Sequence, residues 1–158
     1  MNKKLIYIFL FTLFTFWFSG CGDDKELEEY KNNMDTFYSD ISEYDNIINS
    51  IDANAETSVQ ELLSALDGIE GRFAWMASLT VPEEFSSIET LSAEASEYMT
   101  NAVSLYHQAF ESETFDSDSA ESAKAYYDRA NQNVQYILSI LHGDVPDGDD
   151  IPYSESSE

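Results

Sequence analysis

The sequence predicts an all-α protein, an antiparallel up-down four-helix bundle. Three observations carry that expectation. Apolar residues recur in alternating steps of three and four, the period of a helix face turned towards a partner. No stretch alternates apolar and polar residues as a half-buried strand would. Proline, glycine and small polar residues divide the pattern into four runs.

The first run is Leu27, Tyr30, Met34, Phe37, Ile41, Tyr44, Ile48 and Ile51. Glu, Asp, Asn and Ser fill the spaces, and no Gly or Pro interrupts, so the spacing predicts a helix over about 25–52. Residues 52–57 can be read in two ways. Ser58 with Glu61 makes a capping-box pattern that starts a new helix. Ile51, Ala55 and Val59 can instead carry the stripe through, giving a three-helix arrangement with one long N-terminal helix. The turn is the preferred expectation.

The second stripe is Val59, Leu62, Leu66, Ile69, Phe73 and Met76, ending near Ser78-Leu79. Val81-Pro82-Glu83-Glu84 marks a boundary. Proline disfavours helix in the residue before it and suits the first helical position, and two acids follow where the helix dipole favours them. A third helix should then run to about Ser112. It carries one stripe from Ile88 through Leu91, Ala95, Tyr98, Ala102 and Leu105 to Ala109, and a second of Met99, Val103, Tyr106 and Phe110. Two adjacent stripes imply neighbours on two sides. A polar loop over 113–119 contains one aromatic, Phe115, and offers Asp116 or Ser119 as the next cap. The fourth stripe is Ala123, Tyr127, Ala130, Val134, Ile137 and Leu141, and Gly143 is placed to end it.

The N-terminus follows a different logic. Met1-Asn2-Lys3-Lys4 is basic, Leu5 to Phe18 is apolar apart from Thr12 and Thr15, and Ser19-Gly20-Cys21 follows. A charged start, a short apolar core and small residues before a cut site make a secretory signal. The apolar run is shorter than the roughly 20 residues a membrane span needs. Cys21 is the only cysteine, so one chain can form no internal disulfide and stability must come from apolar packing. The expected organisation is a signal peptide over 1–20, a lipidated tether over 21–26, the bundle over 27–142 and an acidic disordered tail over 143–158.

All 31 Asp and Glu lie after Cys21, where only Lys25, Lys31, Arg72, Lys124 and Arg129 are basic. Such a surface repels phosphate backbones and anionic headgroups, so nucleic acid is not an expected partner.

Chemistry is hard to find. Redox bundles hold two metal ions with Glu-x-x-His motifs, but Ser104 and Ser139 stand three residues before His107 and His142. Two histidines on different helices supply too few ligands for zinc. His107 reads as a rim residue, and Glu94 with Glu97 as a solvated helix face. The serines lack a Gly-x-Ser-x-Gly elbow, and no glycine-rich loop follows a strand. Asp144, Asp147, Asp149 and Asp150 attract cations but lack the spacing of an EF-hand. The expectation is a non-enzymatic protein with no metal and no cofactor.

Trp75 is harder to explain by packing alone. It points away from the Leu66/Phe73 stripe, on the side of Ser64, Gly68 and Gly71. Two glycines in adjacent helical turns make a bare strip beside the only tryptophan after the leader. Either a neighbouring helix approaches closely there, or Trp75, Gly68 and Gly71 form a patch for a partner. A second candidate region is Tyr98, Met99 and Tyr106, which could line a site for an apolar molecule between helices.

Ser19-Gly20-Cys21 resembles the end of a bacterial lipoprotein signal, in which an aliphatic residue and two small residues precede the cysteine. Phe18 departs from the usual Leu. The resemblance implies a diacylglycerol on the Cys21 thiol and cleavage just before it. The segments WMASLTVPEEF (75–85), EASEYMTNAVSLYHQAF (94–110) and AYYDRANQNVQYILSILHG (125–143) resemble a group of helical lipoproteins of Gram-positive, clostridia-type bacteria. That resemblance, over rather more than half the chain, implies a helical fold and a lipid anchor, and no activity. The sequence therefore leads to two expectations. The first is a lipid-anchored extracytoplasmic protein on the cell membrane that binds another protein or an envelope component. The second is a small-ligand or signal-sensing bundle.

Overall fold

The computed structural model describes residues 23–143. It is an all-α bundle of four helices, with no strand among the described residues. Helix α1 spans Asp23–Ser50, α2 Ser58–Ala77, α3 Ser87–Glu111 and α4 Ser117–His142. A 3-10 turn over Glu83–Phe85 leads into α3.

α1 starts at Asp23, so residues 23–26, expected as tether, belong to the helix. Glu26 puts negative charge where the dipole of the first turn favours it. The helix stops at Ser50, and the chain turns over 51–57. Ile51 N–H bonds the Ile48 carbonyl at 3.3 Å, and Asp52 Oδ1 accepts from Asn54 N–H at 3.0 Å. That local bonding is the asparagine/aspartate alternative to continued helix, and it removes the three-helix arrangement. The capping box expected at Ser58 does not form. Thr57 takes the N-cap position, and its Oγ1 donates to Glu61 Oε1 at 2.6 Å.

The other boundaries follow local chemistry. Asp116 caps α4, its Oδ1 accepting from the amides of Asp118 and Ser119 at 3.1 Å each. Gly143 ends α4 at φ 84°, the left-handed conformation that glycine adopts at least cost. The tail beyond it lies outside the described residues.

Consecutive helices pack side by side, and α3 with α4 makes the most extensive contact. Alanine explains that. Ala95, Ala102 and Ala109 on α3 and Ala123 and Ala130 on α4 are all fully buried at seven-residue spacing, letting the two backbones approach closely. Asn133 on α4 ties the pair, its Nδ2 donating to the Leu91 carbonyl (3.4 Å) and to Glu94 Oε2 (3.3 Å). The core centres on Phe37, whose ring meets Phe73 edge-on at 5.2 Å between centroids. Tyr30, Met34, Ile69, Met76, Ile88, Met99 and Ile137 fill the rest. Among the described residues the core side chains run from Leu27 to Leu141.

α1 and α4 meet only thinly, and the seam between them is uneven. Tyr38 Oη donates to the Val134 carbonyl at 3.4 Å in the half nearer the N-terminus. Tyr30, Met34 and Phe37 are buried there, but Ile41, Tyr44, Ile48 and Ile51 further along the same stripe are only half-buried.

Candidate functional site

Cys21 lies outside the described residues. The site residues expected within the bundle separate into two regions, which the helices hold apart.

The first region is the outer face of α2. Gly68 and Gly71 differ in what covers them. The ring of Tyr44 on α1 fills the space where a Cβ on Gly68 would stand, so this glycine permits close helix approach. Nothing lies within 4 Å of the corresponding position on Gly71. The bare strip is therefore interrupted at Gly68 and open only at Gly71. Trp75 is half-buried and packs against the core, as do Leu79, Val81 and Phe85. The Arg72 guanidinium stands 4.2 Å from the Trp75 ring centroid, a cation–π contact. The same guanidinium pairs with Asp40 on α1 at 2.7 Å. Its Nε is buried without a hydrogen-bond partner among the described residues. Asp40, Arg72 and Trp75 thus form a chain of contacts between α1 and α2, in which Trp75 has one face covered. Sequence spacing identified Trp75; Arg72, three residues earlier on the same helix, was within reach of that reasoning, whereas Asp40 joins only across the α1–α2 interface.

The second region is α3. Tyr98, Met99 and Tyr106 do not share one cavity. Met99 is fully buried in the core and is filled space. Tyr98 is half-buried beside Tyr126 (6.2 Å between centroids), with Arg129 6.0 Å from its centroid. Tyr106 stands two turns further along, about 12 Å by helical rise. It lines an apolar cleft of about 290 Å³ with Ile48, Leu62, Leu66, Phe110 and Tyr127. A second depression of about 410 Å³ adjoins it and shares Ile48, Leu62 and Phe110. Ile48, Leu62 and Phe110 read as ordinary stripe residues in the sequence. They pack against the core and are left half-buried where they line the two depressions.

His107, expected at the rim, bridges two acids. Nε2 is 2.8 Å from Asp67 Oδ1 on α2, and Nδ1 is 3.1 Å from Glu111 Oε1 one turn along α3. The hydrogen bond to Asp67, and next that to Glu111, raises the imidazole pKa above its usual value. His142 is exposed at the end of α4. No group of three or more His, Cys, Asp or Glu among the described residues is arranged to hold a metal ion. No helix among them is long and apolar enough to cross a membrane.

No protein-family model, curated protein or solved structure matches this chain.

Proposed function

We propose that this protein is a lipid-anchored extracytoplasmic lipoprotein of non-enzymatic function, whose acidic bundle binds another protein or an envelope component. One observation carries the reading: Ser19-Gly20-Cys21 follows a basic start and a short apolar run. Two acyl chains on Cys21 suffice for stable anchoring, where one gives only marginal binding. The start of α1 at Asp23 is consistent with a bundle held close to the bilayer. Its first helix is about 42 Å long by helical rise. The acidic surface favours a partner bearing positive charge over nucleic acid or anionic lipid.

Intact-mass analysis of the chain extracted from membranes tests the anchor. The expected product begins at Cys21 with a diacylglycerol thioether, and Cys21→Ser leaves the membrane fraction. An unmodified thiol overturns the reading. Crosslinking at the cell surface, with and without Trp75→Ala, tests whether the open face beside Gly71 contributes to binding.

A small-ligand bundle is the second reading. It is favoured by the apolar cleft at Tyr106, and a hydrophobic molecule retained through purification would support it.

A further inference from the structure

We propose that the end of the bundle away from the N-terminus docks a basic, amphipathic helical segment of a partner protein. The inference rests on the protein-binding reading and adds the place and the chemistry of the partner. Four observations converge on this end. The α1–α4 seam, held at Tyr38 and Val134, opens into a cleft between Asp45 and Tyr127, and the second depression, bounded by α1, the 51–57 turn and α2, joins it across Ile48, Leu62 and Phe110. From Asp45 to Ile51 the groove follows α1 for about 9 Å, close to two turns of a docked helix. The large apolar side chains most exposed among the described residues are Ile47 (41%), Val59 (39%) and Phe115 (56%), and all three belong to this end. Phe115 packs on Phe110, 5.2 Å between centroids, and so extends the groove's apolar surface outward. Exposed apolar surface of this kind marks interaction sites.

Charge selects the occupant. Six acids and no base lie between Glu43 and Asp67, and six acids with Lys124 as the one base lie between Glu111 and Asp128. Lys124 is already held by Asp128 in the next turn. Asp45 and Asn49 line the rim. An apolar floor edged by Asp45, at an end of the bundle rich in acids, is the complement of a helix with leucine-like anchors at i, i+3, i+4 and i+7 and lysine or arginine on its flanks. The depressions are open to solvent, which suits a row of anchors better than an enclosed small molecule.

The test uses the full chain with Cys21→Ser, which does not depend on lipid. A labelled Leu/Lys peptide with helical anchor spacing is titrated by fluorescence anisotropy, beside a peptide of the same composition with the leucines scattered. The patterned peptide is expected to bind at least about tenfold more tightly than the scattered one. Leu62→Asn should weaken it about tenfold, and Asp45→Lys about fivefold with a flatter salt dependence. Val59→Asn alters an exposed position that folding tolerates, and it should weaken binding severalfold while circular dichroism and melting stay unchanged. Equal binding of the two peptides overturns the proposal, because attraction to the acidic surface alone then explains it. So does binding that is indifferent to both Val59→Asn and Asp45→Lys. A dimer in solution that buries Val59 and Phe115, or displacement of a groove-bound dye by a fatty acid and not by the peptide, also overturns it. Each failure leaves the lipid anchor, tested by mass, as it was.

Discussion

The ring of Tyr44 on α1 occupies the space that a side chain on Gly68 of α2 would need. One aromatic and one glycine therefore set how closely these two helices approach, and Gly71, one turn along, plays no such part. Gly68→Ala should destabilise the bundle by about 1–3 kcal/mol, the usual cost of overpacking, because the rigid ring must leave the seam. Gly71→Ala meets open space and should stabilise by up to about 1 kcal/mol through helix propensity. Urea denaturation of the two variants checks the contrast, and equal effects would refute the packing account.

Arg72 contacts both Asp40 and Trp75, so its removal should cost more than that of either polar partner alone. The Asp40 pair is partly exposed, and Asp40→Asn should cost under about 1 kcal/mol after solvent screening. Arg72→Ala also loses the aliphatic stem and the cation–π contact, and should cost about 1–2 kcal/mol. Trp75 reports both variants by fluorescence. Its emission should shift to the red in Arg72→Ala and stay nearly fixed in Asp40→Asn.

His107 makes the α2–α3 interface sensitive to pH. Its folded pKa is raised by Asp67 and then Glu111, so protonated histidine stabilises the folded state. That contribution is complete below the unfolded value of about 6.5 and is lost as pH rises through the higher folded value. Relative to His107→Gln, the natural chain should lose stability as pH rises above about 6.5. The pair lies near the surface, which keeps the change below about 1 kcal/mol. NMR titration of the imidazole, with denaturation at each pH, checks both sign and size; an unshifted imidazole would refute the link.

The Tyr30 hydroxyl is buried without a hydrogen-bond partner among the described residues. Burial pushes its pKa up to about 12, and it pushes that of Tyr38 upward as well. The unfolded chain gives up these protons near pH 10, so folding stability should fall as pH rises from about 10 towards the folded values. Tyr30→Phe removes an unsatisfied polar atom. It should raise stability at neutral pH by about 1 kcal/mol and weaken the alkaline transition. Tyrosinate absorbance against pH, in both chains, measures the effect.

Helix order and the punctuating residues were legible because they depend on neighbours in sequence. Asp116 as cap and Gly143 as left-handed stop act within a turn or two of themselves, whereas Pro82, expected to open the third helix, precedes a 3-10 turn and α3 begins only at Ser87. The turn over 51–57 was legible as a preference and is realised by the Asp52–Asn54 hydrogen bond. The capping box was misread, because Thr57 and Ser58 present nearly the same chemistry one residue apart and the path of the preceding turn chooses between them.

The candidate sites were less legible. A heptad stripe shows that Ile48, Leu62 and Phe110 face inward, but not whether another helix arrives to cover them. Trp75 was marked by its position opposite the stripe, while Arg72 and Asp40 meet there only through the α1–α2 approach. Met99 and Tyr106 share a stripe yet have different surroundings, because the core closes over one and the α1–α4 seam opens beside the other.

The sequence by itself determined four amphipathic helices, some of their ends and an acidic surface, since helical period and charge are local properties of the chain. Tertiary structure alone decided which apolar residues are covered: it set Tyr44 against Gly68, joined Tyr38 to Val134 and left a cleft between Asp45 and Tyr127. The reason is that burial depends on the distance between helix axes, and that distance is fixed by side chains far apart in sequence meeting across each interface.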